Sequence, residues 1–278
     1  MLTFVPTPLG NLQDITYRAI EAFERASLFL CEDTRVTKNL LHLLNERQLL
    51  LKMPEAEFLS FNEHNGAGRL CGLEGRLRND EVVYVSDAGM PAISDPGQLL
   101  VAYCQEHKLD YDVLPGPSAA TTVYAASGFP SGRFLFYGFL PRKGRERKEA
   151  LRGLIDQSYD TILYEAPHRL ERLLEELRGL IPERRLFAAK EISKQYQRFY
   201  TGSVGDLFAE IVGEGKIRGE WALVLEGESS EHPCLGIREI LDASLPPKAK
   251  AKLLAHLSGE ESSVWYRRLT QGASGKKG

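Results

Sequence analysis

The segment 82–97, VVYVSDAGMPAISDPG, limits how this chain can fold more than any other part of the sequence. Its first four residues are β-branched or aromatic and uncharged, which predicts a buried strand. The loop that follows holds small residues, two aspartates, Pro91 and Pro96, which cannot continue a strand. Long ordered loops tend to be functional, and open α/β sheets bind ligands at the carboxyl ends of their strands. The loop therefore predicts a binding site.

Composition places the chain among ordinary globular proteins. Its 278 residues suffice for about two domains, and 43% of them are hydrophobic and 26% charged. The four cysteines are far apart and form no C-x-x-C pair, which indicates free thiols in a reducing cytoplasm and argues against a zinc site. No apolar run approaches the ~20 residues that span a membrane, and no signal peptide is recognisable. We therefore expect a cytoplasmic protein with neither a membrane partner nor a metal.

Predicted strands alternate with predicted helices over residues 2–114, which is typical of an α/β protein with a mostly parallel sheet. We expect two α/β lobes, residues 1–116 and 117–228, divided at a Pro-Gly-Pro motif. A polar linker at 226–233 leads to a small helix-turn-helix-like domain at 234–270. The apolar spacing in this tail predicts three short amphipathic helices.

Basic charge is gathered in two places although the net charge is only −3. One cluster is the segment 142–152, and the other lies between residue 248 and the end of the chain. A charge run is usually the solvated face of a helix, and contact with the phosphates of a nucleic acid is the alternative. The usual glycine-rich fingerprints of dinucleotide and triphosphate sites are absent from the sequence.

Seven motifs occur in the order in which one family carries them. They are PTPLGNLQDIT at 6–16, EDTR at 32–35, NEHN at 62–65, VSDAGMPAISDPG at 85–97, PGPSA at 115–119, FYGFLPRK at 136–143 and YEAPHR at 164–169. Together they resemble the bacterial small-subunit ribosomal RNA 2′-O-ribose cytidine methyltransferases, within the tetrapyrrole methylase superfamily. The resemblance extends from Pro6 to about Gly227, and the tail is similar to the small helical domain of that family.

The resemblance implies two α/β lobes of tetrapyrrole-methylase type with S-adenosylmethionine (SAM) in the cleft between them. It also implies a homodimer and a target cytidine in the decoding region of 16S rRNA in the small ribosomal subunit. A sulfonium cofactor needs a mostly apolar slot with few charges. The residues expected to bind it are Leu9, Asp87, Ala88, Gly89, Met90, Ser118, Ala119 and Tyr164. Asp87 is the expected polar anchor, and a turn-forming aspartate is the alternative.

Methyl transfer to a ribose hydroxyl is an in-line displacement, in which alignment supplies much of the rate and the hydroxyl loses a proton. The candidates for catalysis are Glu165, Lys190, Asp14 and Glu32. Each of them could instead organise a loop or position the substrate. The residues expected to contact the RNA are Arg35, His64, Arg142, Lys143, Arg145, Arg147 and Lys148. His64 could equally be a structural histidine.

Two other functions remain open at this stage. A methylase of a tetrapyrrole would share the fold and the cofactor loop, because fold alone does not fix function. The basic cluster, the EDTR and NEHN motifs and the helical tail favour RNA over a tetrapyrrole. A non-enzymatic nucleic-acid-binding protein could use the tail as a helix-turn-helix reader, but it would leave the two large lobes without a purpose.

Overall fold

The structure is a computed structural model that describes residues 1–50, 52–228 and 237–271. The chain divides into two compact units, Met1–Glu228 and Ser229–Gly278. From residue 229 onward, the predicted linker lies outside the described residues, as does the predicted start of the tail domain at 234. No helix within the described residues is long and apolar enough to cross a membrane.

The first sheet is entirely parallel. Its strands are β1 (Leu2–Phe4), β2 (Leu28–Cys31), β3 (Glu57–Ser60), β4 (Val82–Val85) and β5 (Tyr111–Val113), in the order β3-β2-β4-β1-β5. Strands β1, β2 and β4 are buried along their whole length. Such uncharged apolar runs form the centre of a parallel sheet because helices cover both of its faces. The sequence prediction of a parallel sheet is confirmed here.

Four helices connect these strands: α1 (Tyr17–Arg25), α2 (Thr34–Glu46), α3 (Gly66–Asn79) and α4 (Gly97–His107). Side-chain caps fix where the first two begin. Thr16 accepts a hydrogen bond from the backbone N–H of Ala19 at 3.1 Å, and Asp33 accepts one from that of Arg35 at 2.8 Å. The polar residues that follow each strand are thereby held at the carboxyl edge of the sheet.

The second sheet is mixed. Its strands are β6 (Phe134–Phe139), β7 (Asp160–Glu165), β8 (Arg185–Lys190), β9 (Arg198–Ser203) and β10 (Trp221–Leu225), in the order β6-β7-β10-β8-β9. Only the pairing of β6 with β7 is parallel among these described strands. The sheet is mixed because β10 inserts antiparallel between β7 and β8, and a short loop turns β8 back into β9.

Helices α5 (Ala119–Ser127), α6 (Gly144–Ile155), α7 (Pro167–Leu180) and α8 (Val204–Gly213) pack on this sheet. The apolar stripe of α7, which includes Leu170, Leu173, Leu174 and Leu177, is fully buried in the largest core cluster. Helix α8 begins with a capping box in which Ser203 and Asp206 exchange hydrogen bonds. This packing holds the ends of β7, β8 and β10 in fixed positions.

The second unit contains three helices among its described residues, as the spacing predicts: α9 (Ile237–Asp242), α10 (Pro247–Ser258) and α11 (Ser262–Gln271). Ile240, Ala251 and Leu254 are buried. Trp265 is half-buried, and its indole Nε1 donates a hydrogen bond to Oγ of Ser258 at 2.7 Å. This bond ties α11 to the end of α10, so Trp265 serves the packing of the unit.

Candidate active site

A cavity of about 430 Å³ lies where the loops after β1, β2 and β4 meet the ends of β7 and β10. Its lining is mainly apolar and aromatic: Leu9, Ala88, Gly89, Met90, Ile93, Ala119, Phe139, Tyr164, Ala166, Pro167, Ile192, Trp221 and Ala222. The polar lining residues are Ser86, Ser94, Ser118, Glu32, Asp95, Glu165 and Glu220. None of these described residues is basic, so the cavity suits a partly apolar ligand with positive charge.

The loop after β4 has a rigid conformation. The buried carboxylate of Asp95 accepts hydrogen bonds from the hydroxyl of Tyr84 at 2.6 Å and from the backbone N–H of Gly97 at 2.8 Å. It also accepts one from the N–H of Ala92 at 2.9 Å. Sequence reasoning missed Asp95 as a lining residue, although the Ser-Asp-Pro-Gly motif is a recognisable signal of a side chain that organises its own loop.

Gly89 lies at the closest approach of three loops. Its N–H and C=O exchange hydrogen bonds of 3.0 Å each with the backbone of Thr7. Its φ of +78° is left-handed, and a Cβ placed there would lie 2.8 Å from Cδ2 of Leu9 and 3.5 Å from the carbonyl oxygen of Pro117. A side chain larger than hydrogen would displace the Leu9 side chain from its place in the cavity wall, and the left-handed backbone here favours glycine.

Asp87 and the Glu32-Asp33 pair bind one another. Oε2 of Glu32 accepts a hydrogen bond from the N–H of Asp87 at 3.1 Å, and Oδ1 of Asp87 accepts one from the N–H of Asp33 at 3.1 Å. Glu32 lines the cavity, whereas Asp87 is exposed and is not among the lining residues. The carboxylate of Asp87 thus already has a backbone partner, and its role as the cofactor anchor stays a prediction.

Two carboxylic acids at this edge, those of Glu32 and Asp87, have a raised pKa and are harder to ionise than usual. Burial raises the pKa of Glu32, and the nearby charges of Asp87, Asp95 and Glu63 raise it further against the opposing hydrogen bond from Asp87. Burial also raises the pKa of Asp87. On the opposite wall, burial raises the pKa of the Tyr164 hydroxyl to about 12, so this side chain stays neutral and acts as an aromatic surface.

The opposite wall is formed by the end of β7. The ring of Tyr164 packs edge-on against Phe136, with ring centroids 5.1 Å apart, and against Phe139 at 5.6 Å. The side chain of Glu165 is fully buried, and its Oε1 lies 3.1 Å from Nε of Arg169. Burial raises the pKa of Glu165, although the two neighbouring guanidinium groups, those of Arg169 and Arg147, favour its charged form.

Two predicted catalytic residues lie outside the cavity lining. Asp14 accepts a hydrogen bond from the hydroxyl of Ser193, and Nζ of Lys190 lies 5.7 Å from the ring centroid of Trp221. Lys190 is therefore one side chain removed from the cavity. Trp221 and Ile192 line the cavity and were missed because sequence spacing does not tell which strand ends become neighbours. The assignments of Asp14 and Lys190 stay predictions.

The structure separates the predicted RNA-binding residues into two groups. Those with exposed side chains are Arg35, His64, Arg142, Lys143, Arg145 and Lys148. Arg147 is different, because only 1% of it is exposed. The prediction that Arg147 contacts RNA is wrong, since it shares the inner face of α6 with Leu151 and Leu154. Its spacing from these two leucines was the signal that could have revealed this.

Comparison with known proteins defines the class of this fold and cavity. The model of the family described as Tetrapyrrole (Corrin/Porphyrin) Methylases matches residues 1–207, and the chain belongs to this family. The structure of the methyltransferase CobJ has a TM-score of 0.60 and 18% identity, covering 82% of this chain and 94% of that one. Uroporphyrin-III C-methyl transferase from Thermus thermophilus, complexed with S-adenosyl homocysteine, has a TM-score of 0.54 and 16% identity, covering 81% and 96%. The predicted fold class is confirmed.

More similar relatives share one name, ribosomal RNA small subunit methyltransferase I. The protein from Helicobacter pylori (strain ATCC 700392 / 26695) is 42% identical over an alignment of 284 positions, which covers 98% of this chain and 99% of that protein. That from Escherichia coli O157:H7 is 35% identical, covering 96% and 93%. That from Thermotoga maritima is 40% identical, and 82% of this chain accounts for 98% of its length. Within the tetrapyrrole methylases, the chain belongs to the ribosomal RNA small subunit methyltransferase I family, and the predicted resemblance is confirmed.

Among the described residues, no group of three or more His, Cys, Asp or Glu side chains is arranged to hold a metal ion.

Proposed function

We propose that this chain is a SAM-dependent methyltransferase that acts on the 2′-hydroxyl of a cytidine in the decoding region of small-subunit ribosomal RNA. The observation that carries the proposal is the 42% identity, along 98% of the chain, to a protein named as a ribosomal RNA small subunit methyltransferase. The cavity supports it with a chemistry suited to the cofactor. An enzyme with this substrate is expected in the cytoplasm.

The cavity residues fit SAM. A volume of about 430 Å³ lies within the range of roughly 300–1,000 Å³ for small-molecule sites, and the apolar walls suit an adenine ring. The sulfonium carries positive charge, and the lining offers carboxylates but no basic side chain among the described residues. Leu9, Gly89, Ser118, Ala119 and Tyr164 would hold the cofactor. When bound, SAM supplies an electrophilic methyl group for an in-line displacement.

The chain aligns the reacting atoms and supplies a proton acceptor. We assign the acceptor role to Glu32, because it lines the cavity and its Oε2 is fixed by the N–H of Asp87 at 3.1 Å. Its raised pKa brings it closer to the working pH, which improves a general base. Glu165 is less suitable, because its side chain is fully buried and paired with Arg169. The ribose hydroxyl gives its proton to Glu32 while the walls of the cavity hold the reacting atoms in line.

A transfer assay tests this function against its nearest rival. Radiolabelled SAM is offered with small ribosomal subunits, with naked 16S rRNA and with a porphyrin precursor. Label in a 2′-O-methylcytidine after nuclease digestion supports the proposal. Label in the porphyrin alone would mean that the enzyme is a tetrapyrrole methylase, and SAM binding without transfer to any of the three would contradict the RNA substrate.

The exposed cations of the segment 142–148 are expected to bind RNA phosphates. Changing Arg142, Lys143 and Lys148 to Glu should weaken binding to the ribosomal subunit by about tenfold. The slope of the logarithm of the binding constant against the logarithm of the salt concentration should become shallower by roughly two to three, because each lost contact no longer releases a counterion. SAM affinity, measured by calorimetry, should stay the same. An unchanged salt slope would show that these residues are only a solvated helix face.

The second unit is expected to serve RNA binding alone. It carries Lys248, Lys250, Lys252, Arg267 and Arg268. The Thermotoga maritima relative aligns along 98% of its own length with only 82% of this chain. A chain ending at Glu228 should fold and bind SAM with unchanged affinity, while its KM for the ribosomal substrate rises several-fold. Loss of SAM binding would place the tail in the main body of the enzyme.

We also propose a homodimer, with strand β6 in its interface. This strand is at an edge of its sheet, and Phe134, Leu135 and Tyr137 are 40%, 37% and 38% exposed. Exposed apolar edge strands are natural pairing sites. Light scattering should give twice the chain mass of 31.1 kDa. Changing Leu135 and Tyr137 to Lys should give monomers, whereas Phe199→Lys on the opposite edge strand should leave the dimer intact. A dimer in both cases would exclude β6 from the interface.

A further inference from the structure

A network of buried charges connects the basic helix α6 to the wall of the cavity. Arg147, on α6, is the largest fully buried side chain among the described residues. Its guanidinium lies 2.7 Å from Oε2 of Glu176 on α7 and 3.8 Å from Oε2 of Glu165 at the end of β7. Glu165 in turn pairs with Arg169, at 3.1 Å. Two arginines and two glutamates thus balance one another, with Arg147 and Glu165 buried and Arg169 and Glu176 partly exposed.

The same two arginines hold the turn between β6 and α6. Nη1 of Arg147 donates a hydrogen bond to the carbonyl oxygen of Pro141 at 3.0 Å, and Nη2 of Arg169 donates one to that of Leu140 at 2.6 Å. The turn begins at Phe139, which lines the cavity, and ends at exposed Arg142 and Lys143. Its inner side is therefore fixed to Glu165, and its outer side presents basic side chains to solvent.

Strand β6 is irregular just before this turn. Its register with β7 shifts between Phe136 and Gly138, and Gly138 has a left-handed φ of +74°. Bulges of this kind redirect a side chain next to active sites. Phe139, the residue after the bulge, is 54% exposed although it lines the cavity. The backbone thus brings the cavity wall and the basic segment together within five residues, 139–143.

We propose that Arg147 is a positioning residue: through Glu165 and the carbonyl of Pro141, it fixes the 139–143 turn so that bound RNA meets the cavity at a defined distance. The proposal rests on the proposed function. A buried ion pair often stabilises a fold no more than apolar side chains of the same size would, so stability alone does not account for the network. A fixed geometry accounts for it, because misplacing a substrate by about 1 Å can cost about 100-fold in rate.

The test compares Arg147→Lys, which keeps the charge but not the planar fork, with the parent enzyme. We expect kcat for rRNA methylation to fall at least about tenfold. SAM affinity, RNA affinity and the salt slope of RNA binding should stay within twofold of the parent, because the exposed cations and the cofactor loops are unchanged. A loss of salt slope equal to that of an exposed cation would mean that Arg147 contacts phosphate, and would overturn the proposal.

A second variant guards against simple unfolding. Glu176→Gln removes one partner of Arg147 from a site that is 26% exposed and outside the cavity. Its control is Glu175→Gln, the same change one residue along on the exposed face of α7. Glu176→Gln should lower kcat at a temperature well below its melting midpoint, and Glu175→Gln should not. A normal kcat in both folded Glu176→Gln and folded Arg147→Lys would overturn the proposal.

Hydrogen exchange without substrate separates this proposal from the proposed function. The amides of Phe139, Leu140, Arg142 and Lys143 should exchange faster in Arg147→Lys and Glu176→Gln than in the parent and in Glu175→Gln. If the parent enzyme methylates no ribosomal RNA while exchange in the variants rises, the proposed function fails, but the role of Arg147 in fixing the 139–143 turn stands. Unchanged exchange in both variants would overturn that role of Arg147.

Discussion

Glu32→Gln is expected to lower kcat for rRNA methylation by about 10²- to 10⁴-fold, the range typical of a lost general base. Gln can still accept the hydrogen bond from the N–H of Asp87, so the loops should keep their shape, and SAM affinity should fall far less than kcat. Glu21→Gln, on the exposed face of α1 and outside the cavity lining, makes the same chemical change and is the control. Single-turnover methylation and calorimetry measure the two quantities.

The pH dependence gives an independent check on Glu32. Burial raises the pKa of this residue, and the charges of Asp87, Asp95 and Glu63 add to the effect. Only the deprotonated carboxylate can accept the proton of the hydroxyl, so kcat should fall as pH drops through a midpoint above the ordinary value for Glu. Glu63→Gln should move that midpoint to lower pH. An acid limb that persists unchanged in Glu32→Gln would mean that another group is the base.

Gly89→Ala is expected to weaken SAM binding by at least about 30-fold, because a Cβ at this position would lie 2.8 Å from Cδ2 of Leu9 in the cavity wall. Gly128→Ala is the matched control: its φ of +67° is also left-handed, but nothing lies within 4 Å of the added Cβ. Both variants should lose about 1 kcal/mol of stability from the left-handed backbone. Thermal unfolding measures the loss of stability in each variant, and calorimetry measures its SAM affinity. Equal SAM affinities of Gly89→Ala and Gly128→Ala would contradict the role of Gly89.

The sequence was sufficient to predict the elements at the carboxyl edge of the first sheet. An uncharged β-branched run followed by a loop of small residues identifies β4 and the loop after it, because these residue types allow few other conformations. Parallel strands place their following loops at one edge. Ala88, Gly89 and Met90 consequently lie with Leu9 around one cavity.

The second sheet could not be predicted in the same way. An apolar run such as Trp221–Leu225 signals a buried strand but does not say which strands it will pair with. Hence Trp221 was missed as a cavity residue. Charge counting failed at Arg147 for another reason: a count of basic residues ignores which face of the helix each one occupies. The spacing of Arg147 from Leu151 and Leu154 carried that information.

The position of β10 determines when this enzyme can first become complete during synthesis. Among the described residues it is the last strand along the chain, yet it is the central strand of its sheet, between β7 and β8. Until Trp221–Leu225 leaves the ribosome, β7 and β8 both have open edges, which are places where unfinished chains can join other chains. Trp221 and Ala222 also line the cavity. A nascent chain therefore closes its sheet and completes this cavity in the same late step.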